Sequence, residues 1–531
     1  SAPRSTYDGA VAASTKSAAP PALGTTAATL FPPFRLTGWK GWIGPLAVMV
    51  FGGIIRFVNL NWPHSFAFDE TYYAKDALSL LRYGHEMQFD DSVNDIILAS
   101  DGNWRTIDIF KDDPSFVVHP PFGKWVIATG EWMFGLNPFG WRFAVAVLGT
   151  LAVLMTARIA RRLTRSDLIG VVAGLLLAVD GMHLVTSRSA VLDMVISFTC
   201  LAAFGLLLLD RDHVRKRFAD KVPLAPSEWG PRLGPRPYRW AAGVALGLAI
   251  GVKWSGLWYL AFFGLMTVFW DISLRRQLAV RQPWTATFLR SAPTAALTMV
   301  GSAAVTYLAT WTGWLRGDSG WGRTWADGMD SALPIPAALR SLWHYHAEAW
   351  KFHVGLTGDH SYQSNPMSWF LQTRPVSFYW RSLESGDGGC ESAKCAAEVL
   401  AVGYAVIWWI GSVALVYMLW RWAARRDWRA GAVLVGVLAG WVPWLLYLDR
   451  TIFSFYSVIF VPYIAMALAM ALGAILGPAD APPERRRLGA IVSGGVVLLA
   501  VILGWWFYPV WTGETLPYLQ WTWRMWMPTW I

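Results

Sequence analysis

Charge is scarce in this sequence: Asp, Glu, Lys and Arg make up only 15% of its 531 residues, while 55% are hydrophobic and 35 are Trp. A large soluble protein carries more charge. The spacing of the apolar runs points to one polytopic membrane unit rather than the three or four soluble domains its length would suggest. Cysteine is scarcer still, at three. Cys200 lies in an apolar run and reads as inert filling. Cys390 and Cys395 lie in a long polar loop and suit a disulfide if that loop is outside the cytoplasm, which spacing alone does not decide. There is no phosphate-binding glycine loop with its lysine, no dinucleotide fingerprint and no HExxH or Cys-rich ligand pattern. No short cleavable signal peptide is visible, and the internal loops are too short for a cytoplasmic nucleotide-binding domain.

What charge there is has a pattern. The formal +10 forms no amphipathic stripe and does not sit among exposed aromatics, which argues against a nucleic-acid partner. The cations lie in short loops between apolar runs near 42–60, 138–160, 168–184, 190–209, 240–252, 256–270, 291–309, 398–420, 430–448, 452–475 and 489–508. A span needs roughly 20 residues, so the shorter runs borrow flanking ones. The two runs meeting at GVKWSG (251–256) are also compatible with a buried hairpin. Arg158 to Arg165, Arg211 to Arg217, Arg275 to Arg281, Arg421 to Arg426 and Arg485 to Arg487 follow every second run. Eleven crossings put all of these clusters on the side of the N-terminus, which predicts N inside and C outside. Residues 1–38, rich in Ala, Ser, Thr and Pro, read as a disordered cytoplasmic tail.

Two long segments, 61–137 and 310–397, then face outside, and structureless loops of that length are uncommon without function. FAFDETYYAKDA (66–77) opens the first. Asp69 and Glu70 read either as a hydrated loop pair or as acids desolvated among Phe66, Phe68, Tyr72 and Tyr73, where one acts as a base. Adjacent side chains diverge, so separate roles are expected. In HPPFGKW (119–125), His119 and Lys124 either face the membrane surface as a site or mark a helix start with a snorkelling lysine. Arg142 and Arg188 suit an anionic headgroup. Asp193 and Lys253 are ionisable residues beside spans and are functional candidates by default. Arg374 and Arg450 are further outer cations within reach of a phosphate.

HYHAEAWKFHVGLTGDH (344–360) invites a metal reading, but its histidines lack a ligand spacing. A polar wall for sugar, phosphate or peptide, or an interfacial helix, fits better.

In their order, FDETYYAKDA, HPPFGKWVIATG, WRFAVAVLG, SRSAVLD, GVKWSGL and HSYQSNPMSWFLQTRP resemble blocks of the protein O-mannosyltransferases in their actinobacterial form, from about residue 45 to 530. The resemblance implies the glycosyltransferase C (GT-C) fold: an all-α polytopic protein of about eleven transmembrane helices. It also implies mannose transfer from polyprenyl-phosphate-mannose to Ser or Thr of polypeptides leaving the Sec translocon, at the outer face of the plasma membrane. Asp69 matches the catalytic base and Glu70 its neighbouring acid, expected to position acceptor or sugar. Arg142 matches an arginine linked to activity, assigned here to the donor phosphate. His119, Lys124, Arg188, Asp193 and Lys253 are supporting residues. The expected units are 39–310 as catalytic membrane module, 311–397 as a second external loop too short for the MIR domain of eukaryotic relatives, and 398–531 as a four-helix module. One base, a phosphate clamp and no covalent nucleophile describe a single inverting displacement. No cofactor is required, and a divalent cation is not favoured because arginines can neutralise the phosphate.

The nearest rival is a GT-C transferase that acts on a lipid or glycan. A transporter is disfavoured because there is no internal repeat and the ionisable residues cluster near one face.

Overall fold

The computed structural model describes residues 34, 36–90, 92–219 and 227–530, so the tail expected at 1–38 lies almost wholly outside the described residues. Long apolar runs close their backbone hydrogen bonds internally by becoming helices. In chain order the helices that matter here are α1 (Lys40–Phe57), α2 (Glu70–Tyr83), α3 (Phe122–Phe134), α4 (Pro138–Thr164), α5 (Asp167–Ala178), α6 (Gly181–Arg188), α7 (Leu192–Ala219), α8 (Pro237–Ile250) and α9 (Gly256–Gln277). They continue with α10 (Ala292–Thr310), α11 (Ala337–Gly355), α12 (Val406–Arg425), α13 (Trp428–Leu446), α14 (Val461–Leu476) and α15 (Pro483–Thr512). Among the described residues eight of these are long and apolar enough to cross a membrane: α1, α4, α7, α9, α10, α12, α13 and α15. Counting the pair α5–α6, bent by 64°, as one span gives nine. The runs expected at 240–252 and 452–475 are the shorter helices α8 and α14, of 14 and 16 residues.

Three expectations need correction. The chain is not all-α: β1 (Met87–Phe89) pairs with β2 (Phe110–Pro114), and β3 (Val376–Glu384), β4 (Lys394–Ala401) and β5 (Thr515–Pro517) form an antiparallel sheet. The run read as a span from 398 therefore starts as a strand. CAAEVLA of β4 is buried on both faces, and a short apolar run cannot be told from a helix by composition. The stretch 168–184 is not one straight helix, because Asp180 breaks it and caps the second piece by accepting from the His183 amide at 2.9 Å. Finally, 211–219 is not loop but the last turns of α7.

α4 is the reference axis. It has 27 residues, so it is about 40 Å long; its start defines the proximal end of the bundle and its end the distal one. Its proximal turn packs against α3 at very short range, since a Cβ on Gly130 would lie 2.2 Å from the Gly140 carbonyl oxygen. Only glycine permits that approach, which lets two apolar helices interlock without a hydrophobic driving force between them. At the distal end buried ion pairs tie helices together: Arg236 bridges Asp210 of α7 and Asp271 of α9, with contacts from 2.5 to 3.0 Å. Over the proximal end, α11 buries Leu342, Tyr345 and Ala349 and leaves Trp343 and Trp350 exposed, as an amphipathic helix in a membrane interface does. The β3–β4 turn is closed by a Cys390–Cys395 disulfide.

Candidate active site

Asp69 is set at the proximal end by a backbone kink. Phe68 before it has φ +51°, a region that non-glycine residues occupy only where the surroundings impose it. Here the surroundings are rings: Phe68 stacks on Phe378 with centroids 4.9 Å apart and meets Phe455 edge-on at 5.5 Å. α2 starts immediately afterwards, with Asp69 at its N-cap but without a side-chain cap bond. Tyr73, one turn on, acts on the Asp69 carboxylate, as do Lys253 and Asp193. Burial pushes its pKa up to about 6, against the opposing pull of Lys253.

Around Asp69 stand groups from distant parts of the chain. Lys253, in the break between α8 and α9, donates to Asp193 Oδ2 at 2.7 Å and lies 5.2 Å from the Tyr456 ring centre. His119 is 6.5 Å from Tyr73 and 5.3 Å from His353, centre to centre. Burial and then the charge of Lys253 hold its pKa well below the usual histidine value, so it is neutral. His353 donates through Nε2 to the Val118 carbonyl at 3.1 Å, and its Nδ1 faces Arg450 Nη2 at 3.3 Å. Burial chiefly keeps it neutral too, at about 4. Asp69, Tyr73, His119, Lys253, His353, Arg450 and Tyr456 are all half-buried. They form the open wall of a recess with one acid of raised pKa and two cations.

Glu70 belongs to a different structure. Its Oε1 and Oε2 each accept from Arg142 at 2.8 Å, and further bonds come from the Ala67 and Ala190 amides. Arg142 also donates to the carbonyls of Leu60, Pro63 and Ser65. Those bonds use all five of its N–H groups, and both side chains are closed from solvent at 0% and 1% exposure. Arg142 thus has no donor left for a phosphate, and Glu70 no lone pair facing the recess. Both expectations are corrected: the pair clamps the segment that presents Asp69.

With this geometry, two comparisons identify the family. Residues 46–312 match the model for dolichyl-phosphate-mannose-protein mannosyltransferase, and 338–530 match the C-terminal four-transmembrane region of protein O-mannosyltransferase. The chain belongs to the protein O-mannosyltransferase family. It is 39% identical over 508 residues to a polyprenol-phosphate-mannose--protein mannosyltransferase of Mycolicibacterium smegmatis, covering 92% of this chain and 93% of that one. Identity to the protein of the same name in Corynebacterium glutamicum is 32% over 501 residues, 91% and 92% of the two chains. The fold is shared with the S. cerevisiae protein O-mannosyltransferase Pmt1-Pmt2 complex bound to the sugar donor (TM-score 0.69, 14% identity, 95% of this chain and 94% of that one).

The remaining candidates of this O-mannosyltransferase take structural places. Lys124 is buried in an ion pair with Glu86 and donates to the His119 carbonyl at 3.2 Å, with Asp76 at 3.9 Å. It holds the His119 loop from behind rather than facing a headgroup. Arg188 donates at 2.7 to 3.0 Å to the carbonyls of Arg56, in the last turn of α1, and of Val58 and Asn59 just after it; it caps the helix C-terminus and is not an exposed phosphate ligand. Arg374 donates to Ser361 and Thr529 carbonyls and pins the chain's last turns to the second long segment. His344 stacks on Trp325 at 4.1 Å and His346 is bonded to Tyr307 and Leu342. Sequence reasoning missed Tyr456. It sits in SFYSVI, an apolar stretch that reads as the start of a span and is a 3-10 turn instead.

Proposed function

We propose that this glycosyltransferase moves mannose from polyprenyl-phosphate-mannose to Ser or Thr hydroxyls of polypeptides, with Asp69 as base. The family and the names of its relatives support the reaction, and Asp69 carries the site assignment: it is a half-buried acid with raised pKa, close to Lys253 and in no direct ion pair among the described residues. A hydroxyl is a poor nucleophile at neutral pH, and a carboxylate within about 3 Å takes its proton as the oxygen attacks the anomeric carbon. The bond to the phosphate breaks with its electron pair on the leaving polyprenyl phosphate. Lys253 and Arg450 are the cations of the recess that stabilise this growing charge. One displacement inverts the anomeric centre, so a β-linked donor yields an α-linked product. A cavity of about 790 Å³, lined by Leu80, Leu81, Phe122, Trp125, Leu248 and Ala309, adjoins the His119 loop through Phe122 and suits the prenyl chain.

In this reading all eleven helical runs cross the plasma membrane, with the N-terminus and the distal end cytoplasmic and the C-terminus and the recess outside. Translocating, Sec-delivered polypeptides are then the accessible acceptors. The reading routes no step through a metal: Lys253 and Arg450 stand where the leaving phosphate's charge grows, and Asp193, the acid next to Asp69, is held by Lys253.

The deciding experiment measures mannose transfer from polyprenyl-phosphate-mannose to a Ser/Thr-rich secreted peptide. Asp69→Asn is expected to lose about 100-fold or more while donor binding survives. Equal activity in variant and wild type would remove Asp69 as the base. Transfer by the wild type only to a lipid or glycan would replace the protein acceptor and leave only the fold.

A further inference from the structure

At the distal end, about 35 Å along α4 from Arg142, a cavity of about 720 Å³ is walled by Arg165, Arg211, Arg421, Arg425, Arg426 and Arg429. These residues come from four helix ends: the C-cap of α4, the distal part of α7, the end of α12 and the start of α13. Carboxylates answer only some of them. Asp427 pairs with Arg421 and, at 2.8 Å, with Arg429, and Asp212 pairs with Arg165 at 2.9 Å. Arg211, Arg425 and Arg426 have no acidic partner among the described residues. Arg211 lies flat on Trp428, 3.3 Å from the ring centre, and its Nε is buried without a hydrogen-bond partner. Arg425 lies over Trp420 at 5.4 Å. Leu163 and Ala474 complete an apolar side of the same cavity.

A topology signal accounts for arginines on one side of a membrane. It does not account for their convergence, from four helix ends, on one concave site, where like charges repel and one guanidinium nitrogen is buried unbonded. Convergence of that kind is stable when an anion occupies the centre. Guanidinium forks match the oxygens of a phosphate, and basic pockets between the ends of spanning helices take anionic headgroups. We propose that this pocket binds a phosphate-bearing anion, and its place at the end of the spans, with an apolar flank, favours the headgroup of an anionic phospholipid. A soluble phosphate compound presents the same chemistry and is separated from it by the test.

The full chain in detergent is titrated with diphosphatidylglycerol, with phosphatidylethanolamine and with inorganic pyrophosphate, and both thermal stability and retained lipid in native mass spectrometry are read. The dianionic lipid is expected to raise the melting temperature and remain bound, whereas the zwitterionic lipid does neither. Arg211→Gln/Arg425→Gln/Arg426→Gln is expected to weaken binding about 10-fold or more. Arg485→Gln/Arg486→Gln/Arg487→Gln, which removes the same charge from the same end outside the cavity, keeps it. Should the triple variant not fold, Arg425→Gln/Arg426→Gln removes only exposed side chains and still weakens binding. Pyrophosphate binding that is lost in the same variant, without lipid binding, assigns the pocket to a soluble phosphate. Unchanged binding in the cavity variants, equal loss in the control variant, or no binding of either probe overturns the proposal.

Discussion

Asp69 and Glu70 are joined by one peptide bond, and each lies near a cation, yet they end in opposite environments. Glu70 meets Arg142 in a two-pronged ion pair from which water is shut out, and each remaining donor of Arg142 is taken by a carbonyl of the 60–65 segment. Asp69 has a cation nearby in Lys253, but that cation's direct bond goes to Asp193. The first region is closed on itself and can only hold shape. The second leaves a carboxylate desolvated, incompletely compensated and half-open, which is the condition for proton transfer. The contrast separates positioning from chemistry more sharply than the identity of the residues does.

The largest effect expected from breaking this contrast is on stability, at Glu70. Glu70→Gln leaves Arg142 buried without a counter-charge, a loss of about 3–5 kcal/mol that thermal unfolding in detergent will read as a strongly lowered melting temperature. A variant that melts like the wild type and loses only transfer would place Glu70 in the chemistry instead. Next comes Lys253→Met, which removes the cation opposing the rise of the Asp69 pKa. Transfer is expected to fall about 10-fold or more. With Asp69 as the proposed base, the acidic limb of kcat/KM is expected near pH 6 in the wild type and at higher pH in the variant. A limb that stays in place would detach it from Asp69. The smallest effect is on the stability of Asp69→Asn at pH 7. Because folding raises the pKa of Asp69 from its ordinary 3.8 to about 6, the stability its protonated form contributes is full below the unfolded value and lost as pH rises through 6. At pH 7 the ionised group is a burden, so the Asn variant is expected to melt at the wild-type temperature or slightly above it. A clear drop would mean that Asp69 also holds the fold.

Some of this site could be read in one dimension and some could not. Asp69 stood out because a charged residue among aromatics beside a span is rare for a physical reason. Lys253 and Asp193 stood out for the same reason, and they do meet. Arg142 and Arg188 looked equally promising, since nothing local shows that Glu70 and carbonyls from α1 and the following loop will hold them. Tyr456 and β4 were hidden by the opposite problem. An apolar run has the same composition in a span, a buried strand or a 3-10 turn, and only its neighbours decide among them.

The sequence by itself determined the membrane character and the family. Each follows from local composition or from ordered motifs, which do not depend on which segment lies next to which. Tertiary structure decided which of the candidate side chains share a recess, which are locked in clamps and caps, and that arginines from four helix ends surround one cavity. Those outcomes depend on hydrogen-bond donors and charges meeting across tens to hundreds of residues. Such pairings exist only once the helices are packed.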